Sequence, residues 1–320
     1  ERGGIGGAAA GLQPRPTPHL RGTSGLFQAP EYARKINVFG LAGGANGSLY
    51  VLTRRALGPA QNARTTTMKT LRFGIEIETV GLSRTKLAEA IHSVVGGTVS
   101  NDYRDVRITT ASGRTWKVVP DGSLSGGENS GEIVSPVLGY DDIDELQNVV
   151  RAVRTAGAKA DPSTGIHIHI DGSRFDAKSV TNLVKLVHKQ ERLLEHALGV
   201  SETRLSRYCR PIDASFIQRL EARRPKTMQE VSDAWYGYRN TSPQRYDQTR
   251  YHGLNLNSLF FRGTIELRYF NGTLHAGEVK AYVQLALAMA AKALGSKAAS
   301  SKRREFNPAT AKYDFRVVLL

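Results

Sequence analysis

The sequence predicts an α+β fold: a sheet with amphipathic helices packed on one of its faces. Three observations carry this. Several strand-like segments put a polar pair on one face and isoleucine or leucine on the other, because strand side chains alternate. Between them lie segments with apolar residues at helical spacing. Short glycine-containing turns separate neighbouring strand-like runs, the mark of hairpins. The 320 residues allow one large domain or two ordinary ones, with a sizeable core.

The elements follow in order. Leu71 to Val80 reads as a strand. Ser83 is placed to cap a short helix whose apolar face is Leu87, Ile91, Val94 and Val95, ended by Gly96-Gly97. Val106–Thr110 and Thr115–Val119 form a hairpin around Ser112-Gly113. Glu132–Val137 is a further strand. Asp141 to Thr155 is a helix, acidic in its first turn and carrying Arg151 and Arg154 in its last, where they suit the helix dipole. Gly165–Asp171 is a strand, and Asp176 to Leu198 is the longest helix, stopped by Gly199. Residues 213–236 hold two short helices. Gly253–Phe261 and Thr264–Phe270 are expected as a second hairpin around Arg262-Gly263. Glu278 to Leu294 is the last helix, and residues 296–312 read as loose.

The polar faces hold the chemistry. Glu76 and Glu78 share one face of their strand, opposite Ile75 and Ile77. His167, His169 and Asp171 share a face opposite three isoleucines, and Glu266 and Arg268 share one opposite Ile265 and Leu267. A fourth strand adds Glu132. Any one of these strands alone reads as a solvated face or an ion-pair ladder. Four of them, each with an apolar reverse face, point to one shared surface. Four carboxylates there repel one another, and without cations their pKa values are expected to rise. Divalent metals resolve the conflict. Oxygen ligands with one or two imidazoles suit Mg²⁺ or Mn²⁺ better than zinc. Arg268 beside Glu266 suits a phosphate oxygen.

Phe-Gly-Ile-Glu-Ile-Glu at 73–78, Asp-Gly-Ser-Leu at 121–124, Gly-Glu-Ile-Val-Ser-Pro at 131–136, Gly-Ile-His-Ile-His-Ile-Asp at 165–171 and Thr-Ile-Glu-Leu-Arg-Tyr-Phe-Asn-Gly-Thr at 264–273 together resemble the amidoligase family. That family belongs with glutamine synthetase and glutamate–cysteine ligase among the carboxylate–amine ligases. The resemblance spans roughly residues 70–292. It implies a glutamine-synthetase-like catalytic domain, a mainly antiparallel sheet curved into a partial barrel and flanked by helices. It implies ATP and two or three Mg²⁺ or Mn²⁺ ions, and an amide or isopeptide bond formed through an acyl phosphate. By matching position, Glu76, His167 and Glu266 would hold the metal that bridges the ATP phosphates. Glu78 and Glu132 would hold the metal nearer the substrate carboxylate. His169 would contact ATP, and Arg268 would stabilise the transferring phosphoryl group. Arg250 and Asn255 fall where such enzymes carry further phosphate or substrate contacts. Asp121, or another carboxylate that the sequence does not single out, is expected to take the proton from the incoming ammonium. The pattern departs from the family in offering no second carboxylate beside Glu132 beyond Glu128.

The expected division is therefore a disordered or wrongly included N-terminal extension at 1–67, an amidoligase-like catalytic domain at 68–295 and a basic C-terminal tail at 296–320. The first 67 residues hold 12 of the 32 glycines, 5 of the 12 prolines and no methionine, and translation starting at Met68 is the simplest expectation. The net charge is +15, of which residues 1–67, with eight Lys/Arg and two Asp/Glu, supply +6. Such a charge favours anionic partners: nucleotides, acidic peptides or nucleic acid. One cysteine, Cys209, excludes a disulfide scaffold and a Cys-rich zinc site, and it reads as a small buried apolar residue. No run of about 18 apolar residues is present, so no membrane span is expected. No signal peptide is visible, and the cytoplasm is the expected location.

Two other functions compete with the ligase. A metal-dependent hydrolase would use His167, His169 and Glu266, but the chain has no His-Glu-x-x-His helix. A nucleic-acid-binding protein would use the charge and mixtures such as Tyr236-Gly237-Tyr238-Arg239 and Arg245-Tyr246. The partners of the ligase would be a small-molecule or peptide carboxylate and an amine. The sequence names neither, and residues 202–250 are expected to shape that choice.

Overall fold

The computed structural model describes residues 67–319 apart from residue 103. The expected N-terminal extension therefore lies outside the described residues, except for its last position. Eight strands form one open sheet: β1 (Phe73–Val80), β2 (Thr98–Asn101), β3 (Val106–Thr109), β4 (Thr115–Val119), β5 (Ser130–Val134), β6 (Gly165–Asp171), β7 (Leu254–Asn255) and β8 (Thr264–Asn271). Their spatial order is β2-β3-β4-β5-β1-β6-β8-β7, and every neighbouring pair is antiparallel. The fold is α+β, as the alternation predicts.

Four helices cover the apolar face: α1 (Arg84–Val95), α2 (Ile143–Thr155), α3 (Ala177–Ala197) and, later in the chain, a twenty-residue helix at Ala276–Gly295. α1 packs on α2, α2 on that late helix, and the late helix on α3. Ile75, Ile77, Ile133, Ile168, Ile170, Ile265 and Leu267 are all buried in the core between sheet and helices. The caps explain where the helices begin and end. The Ser83 hydroxyl accepts from the Lys86 amide at the start of α1. Gly97, with φ +92°, ends the exit from α1, where a Cβ would fall 2.0 Å from the Thr109 carbonyl oxygen. Asp176 and Ser179 cap α3 reciprocally.

Between α3 and β8 the chain makes α4 (Glu202–Arg207), α5 (Ala214–Arg223), α6 (Met228–Tyr236) and α7 (Asn257–Arg262). With these named, the Ala276–Gly295 helix is α8, and α9 spans Ala311–Leu319. α5 and α6 are the two expected short helices; α4, β2 and α9 had no sequence signal. β2 is four residues, all exposed, so it has no apolar alternation to read. α9 packs on α3, and Arg304 pairs with Asp314 at 2.5 Å, so this end of the chain carries an ordered helix where the sequence showed only a basic tail.

Two boundaries need correction. The expected strand Glu132–Val137 stops at Val134, because the Ser135 hydroxyl takes over as acceptor for the Ile75 amide at 2.9 Å and Pro136 has no amide to continue the ladder. The expected second hairpin is a two-residue strand followed by a helix. Leu254 and Asn255 still pair antiparallel with Leu267 and Glu266. Leu256, Leu259 and Phe260, however, sit at helical spacing, Asn255 caps Ser258, and Gly263 closes α7 at φ +81°. The alternation of Leu254 and Leu256 hid that change of period.

Candidate active site

The sheet register gathers the polar faces. Glu78 lies directly across from Glu132 on β5, Glu76 across from His167 on β6, and His169 across from Glu266 on β8. Glu76, Glu78, Glu132, His167 and Glu266 line a cavity of about 380 Å³ on the face away from α1, α2, α3 and α8. Glu78, His167, His169, Glu266 and Arg268 are each buried.

His167 is the hub. Its Nδ1 is 3.3 Å from Glu76 and 3.8 Å from Glu266, and its Nε2 is 3.7 Å from Glu78. Two sets of side chains each bring three donor atoms within 4.8 Å of one another: Glu76, His167 and Glu266, and Glu78, Glu132 and His167. Their donors are mostly carboxylate oxygens with one shared imidazole, a set that suits Mg²⁺ or Mn²⁺.

The charges divide in a way that the sequence did not anticipate. Burial pushes the Glu266 carboxyl up, but Arg268, His169 and His167 outweigh it and hold the group at about 2. Burial likewise opposes ionisation of Glu76, and His169 and His167 prevail, keeping it well below the usual carboxylate range. Glu132 follows the expected rise. Burial first, then Glu76, Glu78, Asp121 and Glu266, drive it well above its ordinary value, and among the described residues no cationic side chain forms an ion pair with it. A divalent cation fits that need. Asp121, from the Asp-Gly-Ser-Leu motif, is a second carboxylate acting on Glu132, where the sequence pattern offered only Glu128. It lines the cavity, and its Oδ1 accepts from the Ser123 amide and hydroxyl at 2.7 Å.

Arg268 is anchored twice, donating to Glu266 at 2.6 Å and to the Tyr208 carbonyl at 3.2 Å. Asn255 donates to the other Glu266 oxygen at 2.6 Å. His169 Nδ1 lies 3.1 Å from the Thr264 hydroxyl, and its Nε2 lies 3.2 Å from Glu76. Arg250 reaches the cavity wall, with its guanidinium 5.4 Å and 5.3 Å from the ring centroids of Tyr246 and Tyr251. Every residue singled out from the sequence for this surface lies on or beside the cavity.

Three arginines that line the cavity were missed for this site: Arg204, Arg262 and Arg245, the last read only toward nucleic acid. Arg262, read as a turn residue, sits at the end of α7. Its Nη2 is 2.9 Å from His169 Nε2 and 3.4 Å from Glu76. The Ser258–Arg262 contact at 3.0 Å, four residues apart, is the helical signal that could have placed it. Arg204, on α4, is buried and lines the same cavity. Its trace in the sequence is Gly165, a strand position with no side chain on the polar face. Cys209 is buried and burial pushes its thiol up to about 11, so it is no nucleophile.

The profile of a family described as "Putative amidoligase enzyme" matches residues 69–290. The chain belongs to this amidoligase family. A solved structure titled "GmaS/ADP complex-Conformation 1" aligns at 12% identity with a TM-score of 0.35, covering 76% of this chain and 59% of that one. The chain thus spans less than two thirds of that protein's length. No curated protein matches by sequence. Among the described residues, no helix is long and apolar enough to cross a membrane.

Proposed function

We propose that the protein is an ATP-dependent carboxylate–amine ligase whose catalytic domain runs from about residue 68 to 295 and works in the cytoplasm. The observation that carries this reading is the pair of carboxylate sets sharing His167, set beside a doubly anchored Arg268 in one cavity. Family membership supports it. Mg²⁺ or Mn²⁺ ions, when bound, would neutralise the phosphates of ATP and the substrate carboxylate, letting the γ-phosphoryl group convert a poor acyl donor into an acyl phosphate that an amine can attack.

The chain's own residues have distinct tasks in this reading. Glu76, His167 and Glu266 hold the ion on the ATP side, and Glu78 and Glu132 hold the one on the acyl side. Glu266 and the Tyr208 carbonyl fix the Arg268 guanidinium toward the transferring phosphoryl group, so no reorganisation is needed when charge develops. His169 and Arg250 face ATP. Asn255 holds the second Glu266 oxygen in place. Asp121 takes the proton of the incoming ammonium. The hydrolase reading fits less well, since each ligand set has one imidazole and His169 is already engaged by Arg262 and Thr264. An assay with Mg²⁺, ATP and hydroxylamine over a panel of carboxylates tests the proposal. Hydroxamate formed only with ATP and the divalent ion supports it; a full panel without hydroxamate or ADP contradicts it.

A further inference from the structure

The family match ends at residue 290, so the segment that follows α8 lies outside it. That segment runs back across α3. The Ser301 hydroxyl donates to Glu221 of α5 at 2.6 Å, and the Arg304 amide donates to the Lys189 carbonyl of α3 at 3.0 Å. Further on, the Phe306 ring lies 5.1 Å from the His196 ring, and α9 packs on α3. Between the first two anchors stands Arg303. Its Nη2 lies 3.4 Å from Glu191 Oε2, and its Nε donates to His188 Nε2 at 3.3 Å.

Glu191 is buried at 1% exposure, and among the described residues Arg303 is its one ion-pair partner. Glu195 opposes ionisation of Glu191, and Arg303 favours it. With Oε2 facing that cation, Oε1 accepts from the Tyr269 hydroxyl at 2.8 Å and from the Ile212 amide at 2.9 Å. Both bonds lead to Arg268. Tyr269 follows it in β8, and the Tyr269 ring occupies the space of a side chain at residue 253, where a Cβ would fall 2.1 Å from the ring. The Gly253 carbonyl in turn accepts the Arg268 amide at 2.7 Å. Ile212 closes a short stretch in which the Tyr208 carbonyl accepts from Arg268 Nε at 3.2 Å and the Arg210 carbonyl accepts the Gly253 amide at 3.0 Å. One buried carboxylate thus fixes the backbone that holds Arg268 at both its amide and its guanidinium.

We infer that Arg303 is a positioning residue: from the C-terminal segment it holds Glu191, which through Tyr269 and Ile212 aims the Arg268 guanidinium. The inference rests on the ligase reading, which gives Arg268 the transferring phosphoryl group. Arg303 touches no substrate in it. Its effect is confined to the state in which charge develops on that group.

The test is calorimetric titration of the full chain with Mg²⁺-ADP, alone and with aluminium fluoride, which stands in for a phosphoryl group in transfer. The wild type is expected to bind the fluoride complex at least about tenfold tighter than Mg²⁺-ADP. Arg303→Met lowers that gain by at least about threefold and leaves Mg²⁺-ADP binding as it is, while Arg303→Lys restores part of the gain. Arg303 is half-exposed, so both variants are expected to fold. Tyr269→Phe keeps the ring, loses the hydroxyl and gives the same reduction; the double variant with Arg303→Met loses no more than either change alone. A gain unchanged in Arg303→Met overturns the inference. So do reductions that add in full in the double variant, and an equal weakening of both complexes, which is what a merely structural contact would give. A wild type that binds Mg²⁺-ADP but gains nothing from aluminium fluoride overturns the inference alone. A wild type that binds no Mg²⁺-ADP counts against the ligase reading, and the inference falls with it.

Discussion

The central strands and the crossing segment 202–262 contribute opposite halves of the same site. The strands supply the anions, Glu76, Glu78, Glu132 and Glu266, on a rigid register. The crossing segment supplies Arg204, Arg250 and Arg262, from short helices and turns. Arg268 is the one strand residue that belongs with the cations. The difference teaches where charge can be fixed by pattern. Alternation in a buried strand decides which side chains face the cavity before any tertiary contact forms. Cations that arrive on short helices are placed only by the packing of those helices, and their sequence spacing says little.

Each half can be broken separately. The largest effect is expected at Arg268, where the two halves meet. Arg268→Ala leaves Glu266 buried without its main counter-charge, and chemical unfolding is expected to show a loss of about 3–5 kcal/mol. A loss below about 1 kcal/mol would mean that the pair is solvated in solution.

Glu191 on α3 joins the halves from below. It accepts from the Ile212 amide at 2.9 Å, at the start of α5, and from the Tyr269 hydroxyl of β8 at 2.8 Å. Burial raises its carboxyl to about 7, from an ordinary value of 4.5. Between those values the folded chain keeps a proton that the unfolded chain has released, so stability falls as pH rises and the loss is complete above about 7. Unfolding at about pH 5 and about pH 8 is expected to differ by about 3 kcal/mol more in the wild type than in Glu191→Gln. Identical pH slopes would remove Glu191 as the joint.

Gly165 is the contact point between Arg204 and β6. Gly165→Ala is expected to expel the guanidinium, destabilise by about 1–3 kcal/mol and remove whatever binding Arg204 supports. Asp176→Ala touches neither half, only the cap of α3, and is expected to cost about 1 kcal/mol in unfolding while leaving Mg²⁺-ATP binding intact.

Much of the site was legible because its chemistry lies on strands. Glu76, Glu78, His167, His169, Glu266 and Arg268 all follow the alternation that the sequence displays. Arg262 was lost when a helical period was read as a hairpin, and Arg204 because nothing in residues 202–207 ties that helix to Gly165. The expected rise of carboxylate pKa values held for Glu132 and failed for Glu76 and Glu266. For Glu76 and Glu266 the histidines and Arg268 on neighbouring strands outweigh burial, and cross-strand pairing cannot be read from single segments.

The most direct measurement is calorimetric titration of ATP into the full chain, with and without Mg²⁺, beside Glu266→Gln. The account predicts binding that requires Mg²⁺ in the wild type and is lost in the folded variant. A folded wild type that binds no ATP with any divalent ion, or a variant that binds it equally well, would contradict it.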